Sequence, residues 1–189
     1  QGWFAWLCEQ IDLDQVKNVL EVGCGNGQLW KHAPDAVLQG KYICLSDASG
    51  GMVHDAAVNI GNERKKYFDF RVLDCQKLPF PDGHFQRVVA NHVLFYVQNI
   101  AKALEENSRV LSEDGIFYCS TYGTGHMHEI TELVKEFDPR ISLSEVALYK
   151  LFGLENGQKL LEPYFSSVEK RMYDDSLWVD KPEPLLDYI

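Results

Sequence analysis

Residues 18–30 read NVLEVGCGNGQLW, a short apolar run followed by an acid and three glycines on alternate positions. The apolar run predicts a buried strand, and a helical pattern begins at Gln28. A strand that leads through a glycine-rich turn into a helix predicts a ligand site, because the helix start offers unpaired N–H groups and glycine leaves the backbone accessible. This stretch therefore predicts an α/β fold with a ligand at the turn, and the glycine spacing limits the kind of ligand.

The glycine spacing excludes two common phosphate sites. A phosphate-binding loop needs Gly-x-x-x-x-Gly-Lys-Ser/Thr, and no Lys-Ser or Lys-Thr pair follows these glycines. The dinucleotide fingerprint Gly-x-Gly-x-x-Gly also fails, since its last position falls on Gln28 or Trp30. The remaining pattern is Glu-x-Gly-x-Gly-x-Gly, with Glu21 at the end of the strand. A carboxylate there repels a pyrophosphate and suits a ligand that carries an ammonium group.

A second acid, Asp47, ends the next predicted strand, 20 residues beyond Gly27. An acid at that place in an α/β fold accepts hydrogen bonds from the ribose hydroxyls of a nucleoside. Together, Glu21 and Asp47 predict a nucleoside joined to an amino acid without a phosphate, which describes S-adenosylmethionine. The glycine spacing and Glu21 disfavour an NAD-dependent oxidoreductase.

Five segments resemble, in order and spacing, the motifs of class I S-adenosylmethionine-dependent methyltransferases of the small-molecule type related to ubiquinone and menaquinone biosynthesis enzymes. They cover roughly residues 17–122 and read VLEVGCGNG, LSDASGGMV, VLDCQKLPFPDGHF, VVANHVLFYV and SRVLSEDGIFYCST. The resemblance implies in-line transfer of a methyl group from S-adenosyl-L-methionine to a small-molecule acceptor, with S-adenosyl-L-homocysteine as the product. One departure is that Phe85 precedes Gln86, where the family usually has Phe-Asp, so we expect a changed local hydrogen bond.

The resemblance also implies which residues form the site. Asp74 and Cys75 would hold the adenine edge, and the strand-four motif would lie beside the methionine portion and the methyl group. The candidate general base is His92, and the alternative is that His92 packs or hydrogen-bonds to the cofactor. The implied cofactor-binding residues are Glu21, Gly23, Cys24, Gly25, Gly27, Asp47, Ala48, Asp74, Cys75, Asn91 and His92.

Tyr96 and His126 are candidates for the acceptor pocket. His126 and His128 alternate in a way that strand neighbours would need for a shared metal ion, but the stretch has a helical pattern, in which such residues diverge. No third ligand stands at a fixed offset, so no metal is predicted.

Strand and helix patterns alternate from residue 17 to residue 122, which predicts βαβ units on a parallel sheet. We expect one methyltransferase domain over residues 1–189, an α/β, Rossmann-like three-layer sandwich. Its seven-stranded, mostly parallel sheet should include a C-terminal antiparallel hairpin around Asp174 and Asp175, followed by the start of a helix. The cofactor-binding core should occupy residues 17–122.

The segments outside that core have predicted roles of their own. Residues 1–16 should form a helix that packs in the core or serves as a lid, and residues 123–165 should hold the acceptor-binding elements. A helix over residues 100–115 should end at Gly115, and Ser142 with Glu145 should start another helix.

The composition narrows the partners and the location. A formal net charge of −10 argues against nucleic acid, because such binding depends on Lys and Arg. No apolar run is long enough to cross a bilayer, so no membrane-spanning segment is predicted. The five scattered cysteines form no CxxC pair, which predicts a reducing cytoplasm. We also expect a monomer or homodimer. The alternatives are a protein or RNA methyltransferase and a non-catalytic module that binds S-adenosylmethionine.

Overall fold

Residues 18–22 form the central strand of a five-stranded sheet. The structure, a computed structural model, describes residues 2–31, 33–140, 147–176, 178–181 and 183. Its strands are β1 (Asn18–Val22), β2 (Tyr42–Asp47), β3 (Phe68–Val72), β4 (Phe85–Asn91) and β5 (Leu111–Ser120). Their order is β3-β2-β1-β4-β5 and every pairing is parallel. This confirms the predicted Rossmann-like α/β fold.

Helices connect the strands and cover both faces of the sheet. Short 3₁₀ turns occupy Lys65–Tyr67, Leu94–Tyr96 and Leu148–Lys150. The α-helices are α1 (Trp3–Gln10), α2 (Gln28–Lys31), α3 (Asp35–Leu38), α4 (Gly50–Ile60), α5 (Ile100–Val110), α6 (His128–Phe137) and α7 (Gly157–Leu161). Among the helices in the described part of the chain, none has both the length and the apolar character that crossing a bilayer requires.

The core lies in two layers, one on each face of the sheet. Successive residues of β1 alternate between them: Val19 packs with Leu7 and Trp30 on one face, and Leu20 packs with Phe85 on the other. Four of the five residues of β1 are buried, as expected for a parallel strand covered by helices on both sides. The three-layer arrangement places β1 at the centre of the molecule.

The chain reverses its direction of winding at β1. This strand pairs with β2 on one side and with β4 on the other, so the connections after β1 and after β3 leave a crevice between them at the carboxyl ends of the strands. Ligands of open α/β sheets bind in this crevice. The glycine-rich turn after β1 therefore opens at the expected ligand site.

The prediction of seven strands and a C-terminal antiparallel hairpin is wrong for the described chain, whose sheet has five strands and whose residues 166–176 form none. That segment packs on α1, where the ring of Tyr173 lies 5.3 Å from the ring of Trp3 and 5.1 Å from that of Trp6. Alternating apolar residues indicate which side chains are buried, and the partner that buries them depends on the tertiary structure.

The expected end of α5 at Gly115 is also wrong. The helix ends at Val110, and β5 begins at the next residue. Phe85 pairs with Leu111 and Arg87 with Ile116, so β5 carries extra residues that bulge between these pairs. A Cβ at Gly115 would lie 2.6 Å from Cγ of Leu111, so this bulge requires a glycine.

Two further predicted helix starts cannot be compared. The one at Ser142 and Glu145 lies outside the described residues, and so does nearly all of the C-terminal one after Lys181.

At the start of β4, the amide oxygen of Gln86 accepts hydrogen bonds from the N–H of Asn18 at 2.8 Å and of Lys17 at 3.3 Å. These bonds anchor the start of β1 to β4, in the place where the family usually has an acid.

Candidate active site

Each glycine of the turn between β1 and α2 meets a different requirement. All three have a left-handed backbone, with φ of 67° at Gly23, 52° at Gly25 and 76° at Gly27. A Cβ on Gly23 would overlap Val93, at 2.7 Å from its Cβ, and one on Gly27 would lie 3.1 Å from Cβ of Ala56. Nothing stands within 4 Å of the same position on Gly25. The outer glycines therefore allow close packing, and the central glycine leaves the backbone open.

A cavity of about 420 Å³ lies beside Gly25 at the carboxyl ends of β1, β2 and β4. This volume is in the range of small-molecule sites. The wall combines α1, the glycine turn, the start of α4 and the segment after β4; its residues are Phe4, Glu21, Gly23, Cys24, Gly25, Asn26, Gln28, Leu29, Asp47, Met52, Asn91, His92, Val93 and Tyr96. Two carboxyl groups and a histidine thus share one cavity.

Glu21 is almost fully buried, with 1% of its surface exposed, at the inner end of the cavity. Its carboxyl group accepts a hydrogen bond from Nε1 of Trp30 at 2.7 Å. Burial raises the pKa of Glu21 to about 8; the bond from Trp30 opposes this rise, and the charge of Asp47 adds to it. Without a cation beside it, Glu21 is therefore mostly protonated at pH 7.

Asp47 joins the glycine turn to the start of α4. Its Oδ2 accepts from the N–H of Gly25 at 3.0 Å, and its Oδ1 accepts from the N–H of Ser49 at 2.9 Å. The hydroxyl of Ser49 accepts from the N–H of Met52 at 3.3 Å and caps the helix. Each oxygen of an ionised carboxylate accepts more than one hydrogen bond, so Asp47 retains acceptor capacity toward the cavity.

His92 follows the last residue of β4 and has a left-handed backbone, with φ of 51°. Its N–H donates to Oγ of Ser120 at 3.0 Å, and its Nδ1 lies 2.7 Å from the same oxygen. The hydroxyl of Ser120 also lies 2.6 Å from Oδ1 of Asn91. Burial, followed by the charge of His126, lowers the pKa of His92 below its ordinary value. The imidazole is therefore neutral at pH 7 and rigidly held.

Aromatic rings surround His92. Trp3 meets it edge to face at 5.2 Å, Phe95 at 6.2 Å, and Tyr122 lies roughly parallel to it at 6.5 Å. The ring of His126 lies 4.6 Å from the ring of Tyr122, and His126 does not line the cavity. The imidazole of His92 is therefore packed among aromatic rings.

The structure brings many of the predicted site residues to the cavity wall and leaves others off it. On the wall are Glu21, Gly23, Cys24, Gly25, Asp47, Asn91, His92 and Tyr96; off it are Gly27, Ala48, Asp74, Cys75 and His126. Asp74 is engaged in its own turn, where its Oδ1 accepts from the N–H and the side-chain amide of Gln76, and these bonds lower its pKa. The roles of all these residues, on the wall and off it, stay predictions.

Several wall residues were missed from the sequence. Met52 stands in the first turn of α4, and its position shortly after Asp47, the last residue of β2, could have indicated it. Val93 carries no signal by itself, because its importance comes from its contact with Gly23. Phe4, within the segment 1–16 predicted to pack in the core or serve as a lid, lies on the wall.

Comparison with known proteins agrees with this geometry. A family described as "Methyltransferase domain" matches residues 20–119, which is more than half of the chain. The chain belongs to this family. It thus contains a methyltransferase domain of the class I, S-adenosylmethionine-dependent family that its motifs predicted. The finer resemblance to ubiquinone and menaquinone enzymes is not confirmed.

Two curated relatives and one solved structure show which proteins this methyltransferase domain is similar to. It is 30% identical to a malonyl-[acyl-carrier protein] O-methyltransferase of Geobacter sulfurreducens, over 59% of this chain and 41% of the relative. A sterol 4-C-methyltransferase of Caenorhabditis elegans is 32% identical over 59% of this chain and 33% of its own. A SAM dependent methyltransferase from Aquifex aeolicus shares the fold, with a TM-score of 0.65 and 16% identity over 85% of this chain and 78% of that one. The methyltransferase spans about a third to about half of the length of the curated relatives that it matches.

Proposed function

We propose that this domain transfers a methyl group from S-adenosylmethionine to a small-molecule acceptor. One observation carries the proposal: two acids, an open glycine backbone and a neutral histidine that contacts aromatic rings line one cavity. The acids and the open backbone suit an amino acid joined to a ribose, and the histidine suits an acceptor. The absence of Lys and Arg from the described cavity wall fits a cofactor without phosphate.

The acids divide the cofactor between them. Glu21 would accept from the ammonium group of the methionine portion, and the buried carboxyl would lose its proton when that cation arrives. Asp47, held in place by the N–H groups of Gly25 and Ser49, would accept from the ribose hydroxyls. Asp74 and Cys75 follow β3 at the same edge of the sheet, and we propose that they contact the adenine.

The cofactor, when bound, supplies a methyl group on a sulfonium, which is already an excellent leaving group. The chain's own task is to hold the acceptor in line with that group and to exclude water, which can contribute about 7–11 kcal/mol to the barrier reduction. His92 would accept the proton of the attacking group. A positioned base of this kind contributes on the order of 10²- to 10⁴-fold in rate.

Two segments would complete the acceptor site. Residues 1–16, with Phe4 on the wall and Trp3 against His92, would cover the cavity as a lid. The region of residues 123–165, which holds His126, would contact the acceptor beside Tyr96. The named relatives modify oxygen and carbon atoms of different small or carrier-bound molecules, so the acceptor itself is left to experiment. The cytoplasmic location and the monomeric or dimeric state also stay predictions.

Calorimetry with the whole chain tests the cofactor assignment. S-adenosylmethionine and S-adenosylhomocysteine should bind, and NAD should not. Asp47→Ala should weaken binding by about 1–3 kcal/mol, since the ribose loses its acceptor. Asp47→Asn, which keeps an acceptor oxygen for one of the two backbone N–H groups, should fall between this variant and the wild type.

The control is Asp114→Ala, which removes an exposed acid of β5 far along the strand from the cavity. It should bind S-adenosylhomocysteine as the wild type does. Equal affinity in Asp47→Ala and the wild type would remove Asp47 from the site. A metabolite panel would then identify the acceptor as the compound on which formation of S-adenosylhomocysteine depends. Turnover by His92→Gln at the wild-type rate would contradict the proposed base.

A further inference from the structure

The hydrogen bonds around Ser120 decide which nitrogen of His92 carries the proton. Oδ1 of Asn91 only accepts, and it lies 2.6 Å from the hydroxyl of Ser120, so the single proton of that hydroxyl is donated to Asn91. Oγ of Ser120 then acts as an acceptor for both the backbone N–H of His92 at 3.0 Å and Nδ1 at 2.7 Å. Nδ1 also lies 3.2 Å from Oδ1 of Asn91, a second acceptor. Nδ1 is therefore the protonated nitrogen.

This assignment leaves Nε2 of His92 with a free lone pair. A neutral imidazole has one N–H, and the burial of His92 favours the neutral form. Because Nδ1 is bound to Ser120 and Asn91, Nε2 lies on the opposite side of the ring, and His92 contributes to the cavity wall. The molecule that receives the methyl group therefore meets a nitrogen that accepts a hydrogen bond. That molecule must carry a group that donates a proton.

The surroundings of His92 restrict the charge and shape of that group. The described cavity wall has two acids, Glu21 and Asp47, and no Lys or Arg that could balance an anionic acceptor. On the same described wall as His92, the rings of Phe4 and Tyr96 offer flat apolar surfaces. An uncharged, flat molecule fits this environment better than a carboxylate does.

We propose that the acceptor is an uncharged hydroxyl compound built on a flat ring, that its O–H donates to Nε2 of His92, and that Ser120 is the positioning residue that keeps this nitrogen available. The inference rests on the proposed methyl transfer. As the acceptor oxygen bonds to the methyl carbon, the carbon–sulfur bond breaks with its electron pair left on sulfur, and the O–H proton passes to Nε2. The resulting imidazolium keeps its Nδ1–H bonded to Ser120.

Nuclear magnetic resonance tests the tautomer without any acceptor. Long-range ¹H–¹⁵N spectra of the chain bound to S-adenosylhomocysteine should show Nδ1 of His92 protonated and Nε2 bare, with the signals assigned by their loss in His92→Gln. Ser120→Ala should shift the tautomer ratio toward Nε2–H by up to about tenfold, the equivalent of one neutral hydrogen bond. Ser120→Thr, which keeps the hydroxyl, should restore the wild-type ratio, and Ser112→Ala on the same strand should not change it. A protonated Nε2 in the wild type would overturn the proposal.

Three probes test the acceptor class with the same complex. Phenol should perturb the Nε2 signal and bind at least tenfold more tightly than benzoate, which lacks the proton and carries a charge. Cyclohexanol, which has a hydroxyl on a ring that is not flat, should bind more weakly than phenol. Preference for benzoate, or equal binding of cyclohexanol, would contradict the inference. Failure of S-adenosylhomocysteine to bind the wild type would instead contradict the proposed function, so the two failures are distinguishable.

Discussion

Glu21 is the residue whose environment has the clearest consequence for pH. Its ordinary pKa is 4.5, and burial raises the value in the folded chain to about 8. Between these values the folded chain holds a proton that the unfolded chain has released, so stability falls as the pH rises toward and through 8. Bringing a cation to Glu21 favours the ionised form and expels that proton.

We therefore predict that cofactor binding at pH 7 releases about one proton from Glu21. Calorimetry of S-adenosylmethionine binding in two buffers with different ionisation enthalpies measures this number. Glu21→Gln, whose amide oxygen can still accept from Nε1 of Trp30, should release about one proton fewer than the wild type. Protons that this variant still releases come from the ligand's own amine and are subtracted from the wild-type number. Without ligand, the melting temperature of the wild type should fall between pH 6 and pH 9 more steeply than that of Glu21→Gln. The same proton release in both proteins would show that Glu21 does not meet the ammonium group.

The turn between β1 and α2 shows at the scale of an element why three glycines alternate. Any L-residue in their left-handed conformation costs about 1–2 kcal/mol. Only at Gly23 does a Cβ also overlap a neighbouring side chain, that of Val93. We predict that Gly23→Ala lowers the free energy of unfolding more than Gly27→Ala does, and that Gly25→Ala, with open space around it, costs stability least while it weakens cofactor binding.

Urea unfolding of these variants measures the order, and Val93→Ala supplies the matched test of its cause. In the Gly23→Ala background, Val93→Ala should recover part of the lost stability because it removes the overlapping methyl groups. In the wild type the same substitution should only destabilise. Additive effects of the two changes would contradict the proposed clash.

At the scale of the whole molecule, three parts of the chain that are distant in sequence meet in one aromatic cluster. Trp3 and Trp6 of α1 lie 5.4 Å apart, Tyr173 contacts both, and Trp3 contacts His92. The helix α1 has eight residues and no side-chain cap, so it depends on such contacts for its stability. Each aromatic pair contributes about 0.5–1.5 kcal/mol.

We predict that Tyr173→Ala loosens α1 over the cavity without unfolding the sheet. Hydrogen exchange of Trp3–Gln10 should accelerate by about 5- to 150-fold, as expected from the loss of two aromatic pairs, while exchange in β1 stays unchanged. Met172→Ala, at a neighbouring exposed position, should leave α1 as protected as in the wild type. Equal exchange in the two variants would contradict the role of Tyr173.

The local sequence determined the central strand of this methyltransferase domain, the glycine turn that follows it and the two acids of the cavity. The run before Gly23, the alternating glycines and the acids Glu21 and Asp47 act through the backbone and side chains of their own segments, so their pattern predicted β1, the turn and the two carboxyl groups. The order of the motifs likewise predicted the alternation of strands and helices.

The tertiary structure alone decided the contacts between segments far apart in the chain. The segment around Tyr173 packs on α1 although its alternation suited a hairpin, and Ser120, 28 residues after His92, sets the tautomer of that histidine. Gly23 is required by Val93 across the turn. The physical reason is that a residue's own pattern limits its backbone and its burial, whereas the partner that satisfies them is selected by the packing of the whole chain.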